Sequence, residues 1–141
     1  MNIRRIFLLA LVWLALLPVQ TPLAGQVIKI ATLSPDGTSW MRAMRAAGVT
    51  IAKRSQGRVE LRFYPGGVMG NDQSVMRKIR AGQLQGGAVT IGALSGVDKD
   101  IEIYGLPFLF HDLREVDQVR ARMDATLLQR LEKKGFVGFG F

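Results

Sequence analysis

The apolar positions of the chain change period repeatedly, and each change marks an element. Val27 to Leu33 reads Val-Ile-Lys-Ile-Ala-Thr-Leu, a short β-branched run that predicts a buried strand. Ser34-Pro35-Asp36-Gly37 is turn chemistry. Thr38 or Ser39 then offers a hydroxyl to cap a helix in which Trp40, Met44, Ala47 and Ile51 recur at helical spacing. Arg42, Arg45, Lys53 and Arg54 fall on its other faces, and Gly57 ends it. Arg58 to Tyr64 alternates, with Val59, Leu61 and Phe63 on one side and Arg58, Glu60 and Arg62 on the other, as a strand with one covered face does.

Pro65-Gly66-Gly67 turns the chain into a second helix, capped by Asn71, with Asp72 favourably placed against its dipole. Val75, Met76 and Ile79 form its apolar stripe and Gly82 closes it. Leu84 to Ala93 predicts a third strand, rich in glycine and alanine and so open to close approach by a backbone or a ligand. Ser95 to Asp100 reads as a loop, and Ile101 to Phe110, interrupted by Gly105 and Pro107, as extended or irregular. The longest helix starts at Asp112, with Glu115 three residues on as in a capping box. Val116, Val119, Met123, Leu127 and Leu131 are its predicted buried stripe, and Lys133-Lys134-Gly135 its end. Phe136 to Phe141 predicts a fourth strand. Strands alternating with helices imply an α/β fold, with parallel strands joined by right-handed crossovers. Ligands of such sheets bind beyond the strands' carboxyl ends, here Ser34 to Thr38, Tyr64 to Gly70 and Thr90 to Ala93.

The N-terminus follows a different logic. Arg4 and Arg5 precede an uncharged run from Ile6 to Leu17, Pro18 breaks it, and small residues follow through Gly25. That order is the signature of a secretory signal peptide over residues 1–25, with cleavage after Ala24 or Gly25 expected ahead of the alternative, a retained N-terminal membrane anchor. The run is too short for a spanning helix, which needs about 20 apolar residues. Residues 26–141 then form one α/β domain of modest size. The chain stops inside an apolar strand, whereas domains usually finish at a polar, exposed terminus, so a longer parent protein is expected.

The full chain carries 19 basic and 11 acidic residues. Without the signal the excess is about +6, spread over helices and not interleaved with aromatics, which argues against nucleic acid as a partner. There is no cysteine and one histidine, His111, in a turn. No set of ligands with metal-binding spacing, no nucleophile elbow and no complete phosphate loop is present, so neither an enzyme nor a cofactor is implied.

Four stretches together carry a family resemblance. They are Lys29-Ile30-Ala31-Thr32-Leu33-Ser34-Pro35-Asp36-Gly37-Thr38-Ser39-Trp40; Gly57-Arg58-Val59 through Phe63-Tyr64-Pro65-Gly66-Gly67-Val68-Met69-Gly70-Asn71-Asp72; Arg77 through Gly87; and Leu106-Pro107-Phe108-Leu109-Phe110. In this order they resemble the first lobe of the substrate-binding proteins of tripartite ATP-independent periplasmic (TRAP) transporters, of the dicarboxylate-receptor type. The resemblance implies a periplasmic receptor with a two-lobe periplasmic-binding-protein fold. Such a receptor captures a small organic acid between its lobes and delivers it to TRAP membrane subunits driven by an ion gradient. It also implies that the arginine pairing with the substrate carboxylate belongs to the second lobe. On the first-lobe side it points to Ser34, Asp36, Thr38 and Trp40 as cleft lining, to Thr90 on the third strand, and to Asn71 and Asp72 at the same opening. Ser34, Asp36, Thr38, Asn71 and Asp72 also have turn or capping work to do, and Trp40 also fits a core. The competing readings are an exported single-lobe interaction module, a fragment without ligand binding, and, least favoured, an exported enzyme.

Overall fold

The computed structural model describes residues 25–141; the signal segment, apart from Gly25, lies outside the described residues. Three parallel strands, β1 (Gln26–Thr32), β2 (Val59–Tyr64) and β3 (Gly86–Ala88), lie in the order β2-β1-β3. β1 pairs with β2 from Gln26↔Val59 to Ala31↔Tyr64, and with β3 from Ile30↔Gly86 to Thr32↔Ala88. The central position of β1 explains its nearly continuous apolar sequence, since both of its faces are covered.

Helix α1 (Ser39–Arg54) covers one face and α2 (Asp72–Arg80) the other. The α1 side is set by Gly48, where an added Cβ would stand 3.3 Å from the Phe63 ring and 3.6 Å from Leu61 Cβ. The buried residues of this helix are Met41 and Gly48, while Trp40 and Ile51 are exposed. The predicted stripe is therefore displaced by about one residue, because the strand residues beneath need the missing side chain of Gly48 rather than the bulk of Ile51. On the opposite face Ala31, Val75 and Leu84 form a buried cluster, flanked by Tyr64, Ile79 and Val89. Thr38 caps α1 by accepting from the Met41 N–H, and Asn71 caps α2 by accepting from the Ser74 N–H.

The chain beyond β3 departs from the sequence-based expectation. The strand predicted over 84–93 is only Gly86–Ala88, and Ile91–Leu94 is a single turn of helix, α3. At Thr90 the backbone N–H donates to Asp72 Oδ2 at 2.9 Å rather than to a neighbouring strand, so the chain turns away from the ladder there. The segment read as loop and irregular chain contains a 3₁₀ helix, Lys99–Gly105, capped by Asp98; Leu106 to Phe110 is irregular, as expected. Helix α4 (Leu113–Lys133) buries Leu127 and Leu131 and half-buries Val116, Val119 and Met123, the stripe read from sequence. Asp112 accepts from the Glu115 N–H, but Glu115 reaches back to the N–H of His111 rather than Asp112, so the capping box is shifted by one residue. Phe136 to Phe141 forms no strand: among the described residues it has no partner, and Phe136 and Phe141 fold back on the α4 cluster instead.

That second cluster, Ile101, Leu127 and Leu131, is anchored by a buried ion network. Asp98, 1 % exposed, receives a two-pronged fork from Arg130 at 2.8 and 3.0 Å and the Lys134 ammonium at 3.0 Å. The Arg130 guanidinium, followed by Lys134, holds the Asp98 carboxyl far below the usual range. Nearby, Tyr104 donates its hydroxyl to Asp124 and lies 5.4 Å from the Phe141 ring; burial raises its pKa.

Candidate functional site

At the carboxyl ends of β1 and β3 a groove of about 340 Å³ opens, where an open parallel sheet places its ligands. β1 contributes Thr32 and, just beyond it, Leu33 and Ser34; the first turn of α1 contributes Trp40. α2 contributes Asp72, and the β3–α3 connection Val89 and Thr90. The groove exists because three chain turns converge. Thr32 Oγ1 accepts from the Ser34 N–H at 3.1 Å, holding the turn after β1. Thr38 Oγ1 lies 3.2 Å from Ser34 Oγ and donates to Pro35 O. Asp72 ties the first turn of α2 to Thr90, 18 residues away.

Of the seven residues picked out by sequence, the structure brings Ser34, Trp40, Asp72 and Thr90 to the groove. Thr90 stands there as the residue before α3 and not on a strand, with its side chain making no capping hydrogen bond. Asp36, Thr38 and Asn71 are outside its lining and engaged locally. Asp36 is exposed and pairs with Arg45 at 2.9 Å; that guanidinium, with the Gly37 N–H, holds its carboxyl below the usual range. Thr38 and Asn71 are spent as helix caps. Sequence reasoning missed Thr32, Leu33, Ala88 and Val89. Thr32 was legible as the last polar residue of the central strand, at the end where ligands bind.

Trp40 is 40 % exposed, a flat apolar wall rather than a core residue. Asp72 is 7 % exposed, and its Oδ1 is buried with no hydrogen-bond partner among the described residues. Two other hollows of similar size lie elsewhere. One, between α2 and the turn at 68–70, is bridged by Lys78 Nζ donating to Met69 O; the other is apolar, between Phe110 and Val119. Among the described residues there is no grouping suited to a metal ion and no helix long and apolar enough to cross a membrane.

The family model for bacterial extracellular solute-binding proteins, family 7, matches residues 30–141. The chain belongs to that family. Among solved structures it is similar to a TRAP periplasmic solute-binding protein from Ochrobactrum anthropi with a C-terminus bound in the ligand-binding pocket. That likeness is 28 % identity and TM-score 0.73, over 84 % of this chain and 38 % of that one. A TRAP solute-binding protein from Pseudomonas aeruginosa with bound L-malate is 25 % identical, with TM-score 0.70, over 81 % of this chain and 40 % of that one. The sugar-acid binding protein of Advenella mimigardefordensis, in complex with galactonate, is 20 % identical with TM-score 0.73 over 82 % and 38 %, a likeness of fold. An uncharacterized protein of Haemophilus influenzae is 25 % identical over 109 residues, 77 % of this chain and 33 % of its own length. The chain thus spans about a third to two fifths of these relatives, and its fold is the first α/β lobe of their two-lobe architecture. Members of this family are transport receptors, not enzymes.

Proposed function

We propose that this chain is the first lobe of a periplasmic receptor that captures a small organic acid and hands it to the membrane subunits of a TRAP transporter. The observation that carries the reading is the groove at the carboxyl ends of β1 and β3, in a lobe whose family model matches residues 30–141. The relatives' ligands support the acid class: the P. aeruginosa protein holds L-malate and the A. mimigardefordensis protein galactonate. The segment from Arg4 to Gly25 has the order of a cleaved export signal, in keeping with a periplasmic site of action.

The reading is tested in the source organism by deleting the gene and following uptake of labelled malate, galactonate and galacturonate. Loss of uptake of at least one acid supports it; unchanged uptake of all three overturns it. The periplasmic fraction should hold a product lacking residues 1–24 or 1–25, as read by N-terminal sequencing.

Affinity in a two-lobe receptor comes from closure, when both lobes strip water from the ligand and satisfy its charge. One open wall does neither. Residues 26–141 alone are expected to bind acids with a Kd of about 1 mM or weaker, and calorimetry that finds micromolar binding contradicts this.

A further inference from the structure

The positive charge of this lobe is unevenly placed. Residues 37–97, which build α1, β2, α2 and β3, hold nine basic and two acidic residues. Residues 98–141, which build the 3₁₀ helix and α4, hold seven basic and eight acidic. The whole excess therefore belongs to the sheet region, and the second region is close to neutral.

Topology gathers that excess at one pole. Because β1, β2 and β3 are parallel, the helices joining them run back against the strands and end where the strands begin. That pole is opposite the groove. Lys53 and Arg54 stand in the last turn of α1, Arg77, Lys78 and Arg80 in that of α2, and Arg58 directly precedes β2. The Gln26 N–H donates to the Arg58 carbonyl at 2.7 Å, so β1 also starts at this turn. Export cleavage after Ala24 or Gly25 adds an α-amino charge beside it.

Among the described residues none of these six cations is in a salt bridge. Their contacts are neutral: Arg58 with the Ser55 carbonyl, Arg77 with the Ser74 hydroxyl, Lys78 with the Met69 carbonyl, Arg80 with the Phe136 ring. Glu60, the acid of β2, is taken by Arg62. A helix dipole favours a cation at its C-terminus, but it amounts to about half a charge per helix. Most of the cluster stays unbalanced.

The texture of the pole selects the kind of anion. Residues 53–58 and 77–82 contain no aromatic side chain, which a protein hot spot or a stacked base would use. A layer of lipid headgroups asks only for surface charge. We propose that this pole is a contact surface for anionic phospholipid, holding the exported chain against a membrane while the groove at the other end stays open. The proposal goes beyond the receptor reading, and vesicle binding and acid uptake can fail separately.

The test uses the processed chain, Gln26 to Phe141. Phosphatidylcholine vesicles with about 30 % phosphatidylglycerol should sediment it at low salt, and pure phosphatidylcholine vesicles should not. Salt at about 0.5 M, where the Debye length is about 4 Å, should release it. Each cation at an anionic surface contributes about fivefold in binding, so Lys53→Gln with Arg54→Gln should weaken it about 25-fold. Arg114→Gln with Arg122→Gln takes the same charge from α4 and should weaken it less than about twofold. All four side chains are exposed, and circular dichroism checks the fold. Equal weakening by the two pairs would make net charge the cause and overturn the proposal. So would failure to bind phosphatidylglycerol vesicles; retention by soluble polyglutamate in that case assigns the pole to an acidic protein instead.

Discussion

The two buried clusters of this lobe are built on different principles. Ala31, Val75 and Leu84 are held by the sheet: each comes from an element whose apolar period is visible in sequence, and parallel register brings them together. Ile101, Leu127 and Leu131 are held by one helix and a 3₁₀ turn, fastened through the Arg130–Asp98–Lys134 network. Both regions expose large apolar side chains, but the most exposed belong to the second: Phe108, Leu113 and Phe139 are 99, 81 and 99 % exposed. A sheet supports itself through backbone pairing, whereas a helix-and-turn assembly depends on what is packed against it. The connection between the two is slight: α3 between Val89 and Ser95, and the Arg80 guanidinium 5.8 Å above the Phe136 ring.

The largest expected effect tests whether the two regions unfold separately. Ile101→Ala empties the centre of the second cluster, where the side chain is fully buried, and should cost about 3–4 kcal/mol of that region's stability. In urea, far-UV circular dichroism should show two phases, with the part carried by α4 melting at a lowered midpoint. Fluorescence of Trp40, the only tryptophan after residue 25, should keep its own. Equal displacement of both probes would show one cooperative unit and dissolve the comparison.

Acid should separate the regions next. Asp98 is charged and forked in the folded chain, so its carboxyl titrates below the unfolded value of about 3.9. A depressed folded pKa contributes stability that is complete above about pH 4 and is lost as pH falls from there through the folded value. Circular dichroism melts between pH 6 and pH 2 should show the α4 transition falling before the Trp40 transition. Asp98→Asn should remove most of that pH dependence while lowering the melt at neutral pH. A pH dependence carried unchanged by Asp98→Asn would place the acid sensitivity elsewhere.

The same division governs what was legible in sequence. The alternation of Val59, Leu61 and Phe63 and the α4 stripe through Leu127 and Leu131 are local patterns, and the structure has both. The long third strand and the fourth strand are absent because their formation depends on partners. At Thr90 a side chain 18 residues away takes the backbone donor. At Phe136–Phe141 no strand among the described residues stands beside the chain. The groove was half legible for a related reason. Ser34 follows the end of β1, which sequence locates, whereas Thr90 was read as lying on a strand that in the structure ends at Ala88; whether Asp36, Thr38 and Asn71 face a ligand or cap their own turns is decided by rotamers.

A smaller change sharpens the sheet side. At Gly87 an added Cβ would lie 2.8 Å from Val75 Cγ1 and 3.3 Å from the Ala31 carbonyl oxygen. Gly87→Ala should therefore cost about 1–3 kcal/mol by overpacking, although the residue itself is exposed. The loss should appear in the Trp40 transition and leave the α4 transition alone. A neutral result would mean that α2 lifts from the sheet at little cost.

The smallest expected effect concerns Phe108. It holds a left-handed φ of 60° with its side chain almost wholly in solvent. Such a conformation costs an L residue about 1–2 kcal/mol, which glycine does not incur. Glycine gives back about 0.4–1 kcal/mol through the greater freedom of its unfolded chain. Phe108→Gly should thus stabilise the isolated lobe by about 0.5 kcal/mol, measured as a rise in the urea midpoint at constant slope. No packing is lost, because the ring touches little here. The strained residue stands in a stretch of chain whose Leu106, Leu109 and Leu113 are also exposed. If the substitution destabilises the lobe instead, the ring is packed in solution and the second region is more self-sufficient than its exposed surface implies.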